Sequence, residues 1–439
     1  MGVQPNIAII GAGFAGFGAA HALSGESADV TIYEKRPVHG GHTSTHAYDD
    51  GFLFDEGPHI SFTMDERLQE LFADSIGGTY EKLRASVDNY WKGHWITHPA
   101  QTNLNGLPTD LIVDCIDDFV AASREPVDET KITDYEQWLL AAFGKTFAKT
   151  FPGQYTRKYH TTEAKNLTTD WLGPRLYRPS LREMLTGALN PMPPKVHYVD
   201  HFRYPTHGGF VSYLNGFRAR SNVAINSEII GIDPKAKTLR MSDGRVVGYD
   251  AVISSAPLPK LIPLIDGAPD DVKLAASKLA CTEVVLVNVG VTKPHVRDAH
   301  WTYFYDDEIA FTRLSYPSNF SPNVAPKGCS ALQAEVYFSP KYKPRTQAPE
   351  TYIEPVIAGL LESGLIDGRD QVIHTSTIVA PFANIIFDHD RPAAVKLIHE
   401  YLDEIGVGYC GRFGDWGYIW TDQAFTSGEH AARKALDRL

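Results

Sequence analysis

The chain has 439 residues, 43% hydrophobic and 21% charged, the proportions of an ordinary globular protein, and its length exceeds what one hydrophobic core supports, so two or three lobes are expected. A net charge of -12, with 41 Lys and Arg dispersed along the sequence, gives a nucleic-acid partner no electrostatic footprint. No run approaches the roughly 20 apolar residues that cross a bilayer, so membrane insertion is not expected.

The N-terminus reaches a strand by Asn6 without a basic or apolar leader, which makes a cytoplasmic location the expectation. Cys115, Cys281, Cys329 and Cys410 lie far apart with no C-x-x-C pair, so neither a disulfide framework nor a metal site is expected.

In chain order, the apolar run at 6–10 breaks into a glycine-rich turn, passes into an Ala-rich helical segment at 14–23 and resumes as a strand at 30–33. This is a βαβ unit. Gly11, Gly13 and Gly16, with Phe14 and Ala15 between the last two, form a G-x-G-x-x-G turn. The missing Cβ atoms let backbone turn tightly and approach a pyrophosphate at a helix N-terminus. Glu34 stands 18 residues beyond Gly16 at the end of the second strand, placed to accept hydrogen bonds from a ribose 2′-hydroxyl. Glycines needed only for turning and packing are the competing reading. Lys35 and Arg36 follow, and Arg36 reads equally as a phosphate ligand or a surface arginine. A second glycine turn, Gly40-Gly41-His42, would let backbone run along the flavin side of the pyrophosphate of FAD.

From 108 to about 182 the pattern is helical, with apolar residues repeating at three and four over 111–121 and 135–147, broken by Pro126, Pro152 and Pro174. Between 223 and 255 apolar residues alternate around a Ser-Asp-Gly hairpin turn, ending in a buried strand at 251–254. Longer strands at 284–291, 300–304 and 332–338 suggest an antiparallel substrate sheet, and a helix at 426–439 ends the chain. The expected class is α/β: a Rossmann-like FAD-binding domain (1–95, 205–265 and 405–439), an inserted helical lobe (100–200) and a mostly antiparallel β-sheet substrate domain (266–404). The apolar faces of the helical lobe leave a homo-oligomer open.

Further segments are Asp55-Glu56-Gly57-Pro58-His59, Trp171-Leu172-Gly173-Pro174-Arg175, Phe202-Arg203-Tyr204-Pro205 with Gly208-Gly209, Trp301-Thr302-Tyr303-Phe304, Phe311-Thr312-Arg313 with Ser318-Asn319-Phe320-Ser321-Pro322, and Gly411-Arg412-Phe413-Gly414-Asp415-Trp416-Gly417-Tyr418. In these blocks, over most of its length, the chain resembles the FAD-dependent amine oxidase and protoporphyrinogen oxidase superfamily, and more narrowly the UDP-galactopyranose mutases of the eukaryotic type.

The resemblance implies an isomerase: pyranose and furanose forms of a nucleotide sugar interconvert through an adduct at N5 of reduced FAD, with no net loss of electrons. It matches Arg175 and Arg313 to the arginines that hold the substrate diphosphate, a role suited to the planar guanidinium fork. Helix capping by Arg175, and pairing of Arg313 with Asp306 or Asp307, are the competing readings. Tyr303 and Tyr418 match tyrosines aimed at the diphosphate, Arg412 matches a contact to FAD, and His59 matches a histidine beside the isoalloxazine; an ordinary core role is the competing reading for the two tyrosines and the histidine. Asp422-Gln423 lies where backbone amides at the start of the last helix would face the flavin's pyrimidine end.

The chain departs from the family where the nucleotide would sit. Thr156 and His160 stand in place of an asparagine and a tryptophan that contact uridine, and His98 replaces a tyrosine while Gln101 is kept. Ala383 or Asn384 occupies the place of an expected tyrosine-proline, and Asp422 replaces an asparagine near the sugar. The resemblance therefore implies a nucleotide-diphosphate sugar as partner without fixing it as UDP-galactose. The alternative is a net oxidoreductase of the amine oxidase or desaturase type.

Overall fold

The computed structural model describes residues 4–124, 128–173, 176–193 and 199–439. The N-terminal βαβ unit belongs to a five-stranded, wholly parallel sheet, in the order Val407–Tyr409, Ala251–Ser254, Asn6–Ile10, Asp29–Tyr33, Asn222–Ala224. The central strand is apolar without alternation because both its faces are covered, and Ile7, Ala8 and Ile9 are at most 1% exposed.

The first helix, Phe14–Ala22, packs on the last, Thr421–Leu436, with their backbones nearly touching. A Cβ on Gly18 would stand 2.1 Å from the Phe425 carbonyl oxygen, and one on Gly428 would stand 1.9 Å from that of Ala15. Arg67, on helix Glu66–Ser75, fastens the last helix from the other side through a fork to buried Glu429 at 2.8 and 2.7 Å.

A smaller antiparallel sheet, Ile229–Asp233, Thr238–Met241 and Val246–Gly248, turns at Ser242-Asp243-Gly244 as its sequence predicts. The seven-stranded sheet runs Val372–Ala380, Glu283–Val291, Ser330–Phe338, Arg313–Ser315, Trp301–Phe304, Val87–Trp91, His94–Thr97. All its pairings are antiparallel except that of Trp301–Phe304 with Val87–Trp91.

The helical segment comprises Thr109–Arg124, Tyr135–Phe143, Lys145–Ala148, Gln154–Tyr159 and Leu181–Leu189. Side-chain caps start two of them, Asp134 onto Gln137 N–H and Ser180 within a capping box with Glu183. Pro152 does not break the pattern as expected. A π turn over Lys149–Gly153 joins its neighbours, so the chain stays helical through the proline. The wider turn relieves the clash of the ring with the preceding turn and needs no N–H at that position. Pro126 and Pro174 lie outside the described residues. The last helix begins five residues earlier than the periodicity suggests, at Thr421, because Gln423 Oε1 reaches back 3.0 Å to accept from Trp420 N–H.

All four cysteines are free; Cys115, Cys281 and Cys410 are buried and Cys329 half-buried. Among the described residues no helix is long and apolar enough to cross a membrane, and no group of three or more His, Cys, Asp or Glu could hold a metal ion.

Replacing Gly428 by Ala is expected to cost about 1–3 kcal/mol or more by forcing the two helices apart. Chemical denaturation of the variant checks this, and an unchanged midpoint would show that the helices are free to separate.

Candidate active site

The glycine turn follows the first strand directly. Gly11 N–H donates to Tyr33 O at 2.8 Å, and a Cβ on Gly16 would stand 1.9 Å from Gly11 O, so the turn and the first helix are in backbone contact. Phe14 and Ala15 face the core, leaving their backbone to the turn. Buried Glu34 closes the second strand. Its Oε2 accepts from Ala12 N–H and its Oε1 from Arg36 N–H, both at 2.9 Å, which leaves lone pairs for ribose hydroxyls.

The second glycine turn docks on the first: Gly40 N–H donates to Ala12 O at 2.8 Å, and a Cβ on Gly41 would come within 3.3 Å of Gly13 Cα. Arg36 is neither free nor a simple surface arginine, since it pairs with Glu56 and donates to Gly41 O at 3.2 Å. Lys35 is exposed beside it.

The C-terminal segment lies over these turns. The His42 and Phe413 rings are 4.8 Å apart. Arg412 donates from Nε and Nη2 to Ile419 O at 3.0 and 2.8 Å, folding the chain between them into a loop with Tyr418 under the guanidinium. Half-buried Asp422 and exposed Gln423 follow in the first turn of the last helix.

His59 Nδ1 lies 2.9 Å from Gly57 O. Burial lowers its pKa to about 4, with Arg412 and Arg313 acting in the same direction against the Gly57 carbonyl. His42 is lowered to about 3, chiefly by burial, with Arg412 and His59 adding to it. Both imidazoles are neutral near pH 7.

A cavity of about 210 Å³ opens between the helical segment, the seven-stranded sheet and this C-terminal loop. It brings together His98, Gln101, Thr156, His160, Tyr303, Arg313 and Tyr418, all singled out in the sequence. Arg175 lies outside the described residues. Asp422 sits two residues beyond Trp420, which does line the cavity.

Gln101 Nε2 donates to Tyr177 O at 3.1 Å, and Thr156 Oγ1 donates to Pro152 O at 2.6 Å inside the π turn. His160 is 3% exposed, its ring 5.2 Å from Trp171, and its Nδ1 has no hydrogen-bond partner.

Arg313 does not pair with Asp306 or Asp307. Its strand lies against Ser330–Phe338 in a register that sets Glu335 directly opposite, and Nε and Nη2 both reach Glu335 Oε1 at 2.8 Å. Glu335 is 1% exposed and also accepts from Tyr337 Oη. Burial opposes the Arg313 charge, but the Glu335 carboxylate outweighs it and holds the guanidinium charged.

Sequence reasoning missed the aromatic residues that complete the cavity, among them Tyr135, Tyr155, Tyr159, Tyr305 and Phe151. On the helices their spacing reads as an ordinary apolar face, and Tyr305 lies just past a strand end. The one available signal was that Tyr155 and Tyr159, four apart, share a short segment with Thr156 and His160.

A family model for an NAD(P)-binding Rossmann-like domain matches residues 9–75. A solved structure of reduced UDP-galactopyranose mutase superposes with a TM-score of 0.92 at 26% identity, covering 100% of this chain and 95% of that one. A protein assigned as a protoporphyrinogen oxidase, from Exiguobacterium sp. 255-15, superposes with a TM-score of 0.74 at 16% identity, over 100% of both chains. Putrescine oxidase bound to putrescine gives a TM-score of 0.65 at 16% identity, over 99% of this chain and 100% of that one. The chain thus carries an N-terminal dinucleotide-binding domain within a fold shared with these three solved structures. Over its whole length the chain is similar in fold to UDP-galactopyranose mutase.

The pKa of His160 falls to about 4 from burial alone. Its contribution to stability is therefore present above the unfolded value near 6.5 and is lost as pH falls toward 4. In His160→Phe the acid loss of stability between pH 6.5 and 4 should shrink by about 3 kcal/mol relative to the unsubstituted chain, measured by denaturant titration across pH. Parallel pH profiles would mean that the imidazole protonates in place.

Proposed function

We propose that the chain is a flavin-dependent nucleotide-sugar mutase that interconverts pyranose and furanose forms of a nucleotide-diphosphate sugar, which need not be UDP-galactose. The observation that carries this reading is Arg313, kept charged by Glu335 in the wall of a cavity that also contains Tyr155, Tyr159, Tyr303 and Tyr418. That wall offers hydrogen-bond donors to a diphosphate in a protein whose net charge of -12 supplies no diffuse attraction.

FAD fits the residues present. The pyrophosphate would lie at the turn of Gly11, Gly13 and Gly16 with Gly41 beside it, the ribose at Glu34, and the ring near His42, His59, Arg412 and the amides of Asp422 and Gln423. In its reduced form the cofactor would supply the nucleophilic nitrogen. Arg313, and Arg175 by resemblance, would hold the diphosphate as it leaves the sugar and retain it for return, while the tyrosines position it and the aromatic walls exclude water.

Neutral His59 would border the ring without adding charge. Gln101, Thr156 and His160 would form the base end, where a changed set of side chains permits a changed nucleotide. In this reading residues 1–95, 205–265 and 405–439 serve the cofactor, 100–200 form the helical lobe and 266–404 the substrate sheet, with the strands at 87–97 shared. The setting is a cytoplasmic one, and self-association through the helical lobe is compatible with it.

A net oxidoreductase of the amine oxidase type is the second reading, favoured by the aromatic residues that make up most of the cavity wall.

Titration of UDP-, GDP-, CDP- and dTDP-sugars against oxidised and dithionite-reduced protein, with the product ring form followed by NMR, separates the two. Isomerisation by the reduced protein alone is expected. Oxygen consumption with amines, and no binding of any nucleotide sugar, would replace the mutase reading by the oxidase one. Arg313→Lys, which keeps Glu335 paired but loses the fork, should weaken nucleotide-diphosphate binding about tenfold or more.

A further inference from the structure

Lys158 does not line the cavity, yet it stands behind both of its walls. It lies on helix Gln154–Tyr159, between Tyr155 and Tyr159. Its Nζ donates to four backbone carbonyls: Phe304 at 3.2 Å, Asp306 at 2.5 Å, Ile309 at 3.0 Å and Phe311 at 2.8 Å. An ammonium has three protons, so the four acceptors must share them around one point.

All four carbonyls belong to the end of strand Trp301–Phe304 and the connection leading to strand Arg313–Ser315. Tyr303 and Tyr305 stand at one end of this loop and Arg313 at the other. Backbone hydrogen bonds secure the ends, Phe304 N–H to Thr312 O and Thr312 N–H to Glu335 O, each at 2.9 Å. The middle of the loop turns its carbonyls inward onto the lysine. Asp306 is tied separately, its Oδ1 accepting from Lys92 N–H at 2.9 Å.

We propose that Lys158 is a positioning residue whose ammonium clamps the 305–312 loop to helix Gln154–Tyr159, fixing the spacing between Arg313, Tyr303 and Tyr305 on one wall and Tyr155, Thr156, Tyr159 and His160 on the other. The consequence for the anion site rests on the function proposed above; the clamp itself does not. Apolar packing alone would let the loop and helix slide, because dispersion contacts are not directional. Four carbonyl dipoles converging on one cation fix a distance and a direction together.

The test uses the full-length flavoprotein with Lys158→Met, which keeps the stem, and Lys158→Ala, which leaves a hole lined by four carbonyl oxygens. UDP affinity is expected to fall about tenfold or more in both variants, with flavin content unchanged. Propylammonium should restore affinity in Lys158→Ala but not in Lys158→Met, whose stem fills the hole.

Hydrogen–deuterium exchange should quicken in 154–160 and 305–312 together, while the five-stranded sheet stays protected. Unchanged exchange in both segments, or a loss spread through the whole fold that propylammonium does not reverse, would overturn the clamp. Should the unsubstituted protein bind no nucleoside diphosphate, the mutase reading fails, and the exchange pattern alone decides the role of Lys158.

Discussion

The rest of the molecule depends on a helix contact close enough for backbone to meet backbone. The first and last helices meet where Gly18 and Gly428 let backbone approach backbone, joining segments some 400 residues apart. This contact carries the C-terminal stretch across the sheet. Gly411 arrives so close to the first helix that a Cβ there would stand 2.6 Å from Ala15 Cβ. Phe413 then meets His42 of the second glycine turn, and the loop folded by Arg412 delivers Tyr418 and Trp420 to the cavity. One packing solution thus sets the distance between the dinucleotide turn and the cavity.

The second organising fact is how the protein handles buried charge. Glu335 holds Arg313 from beneath, and Glu56 holds Arg36 and His46. Asp55 accepts from Thr45 Oγ1, Tyr204 Oη and Phe210 N–H at 2.5, 2.6 and 3.0 Å; burial still raises its pKa to about 6, against those three bonds. Asp55 and Glu56 fix the backbone four and three residues before His59, whose Nδ1 lies against Gly57 O. A buried charge without such partners would cost several kcal/mol, which is why each comes with its acceptors or donors already assembled.

Much of this was legible in the sequence for a local reason. The βαβ unit, the glycine turns, Glu34 and the hairpin at Ser242-Asp243-Gly244 are set by turn chemistry and periodicity within a few residues of each other. The same local logic misjudged Pro152, which punctuates a pattern read residue by residue but is absorbed by a π turn when flanking helices are held by tertiary contacts. It also dissolved the aromatic wall into a generic helical face, since Phe143, Phe147 and Phe151 recur every four residues just as core residues do.

Periodicity and turn chemistry sufficed for the first βαβ unit, the hairpin at Ser242-Asp243-Gly244 and the strands at 284–291 and 332–338, and they marked the polar residues worth following to a site. The strands Val87–Trp91, His94–Thr97 and Val372–Ala380 carry no comparable local signal. Which of those residues meet is settled by packing. Arg313 chose Glu335, 22 residues away, over Asp306 and Asp307, because strand register placed that carboxylate opposite it. Lys158 found its acceptors in carbonyls about 150 residues onward, which no side-chain pattern encodes. Periodicity acts along the chain, whereas charge partners and cavity walls are selected across it, by a register and a helix contact that exist only once the lobes have packed.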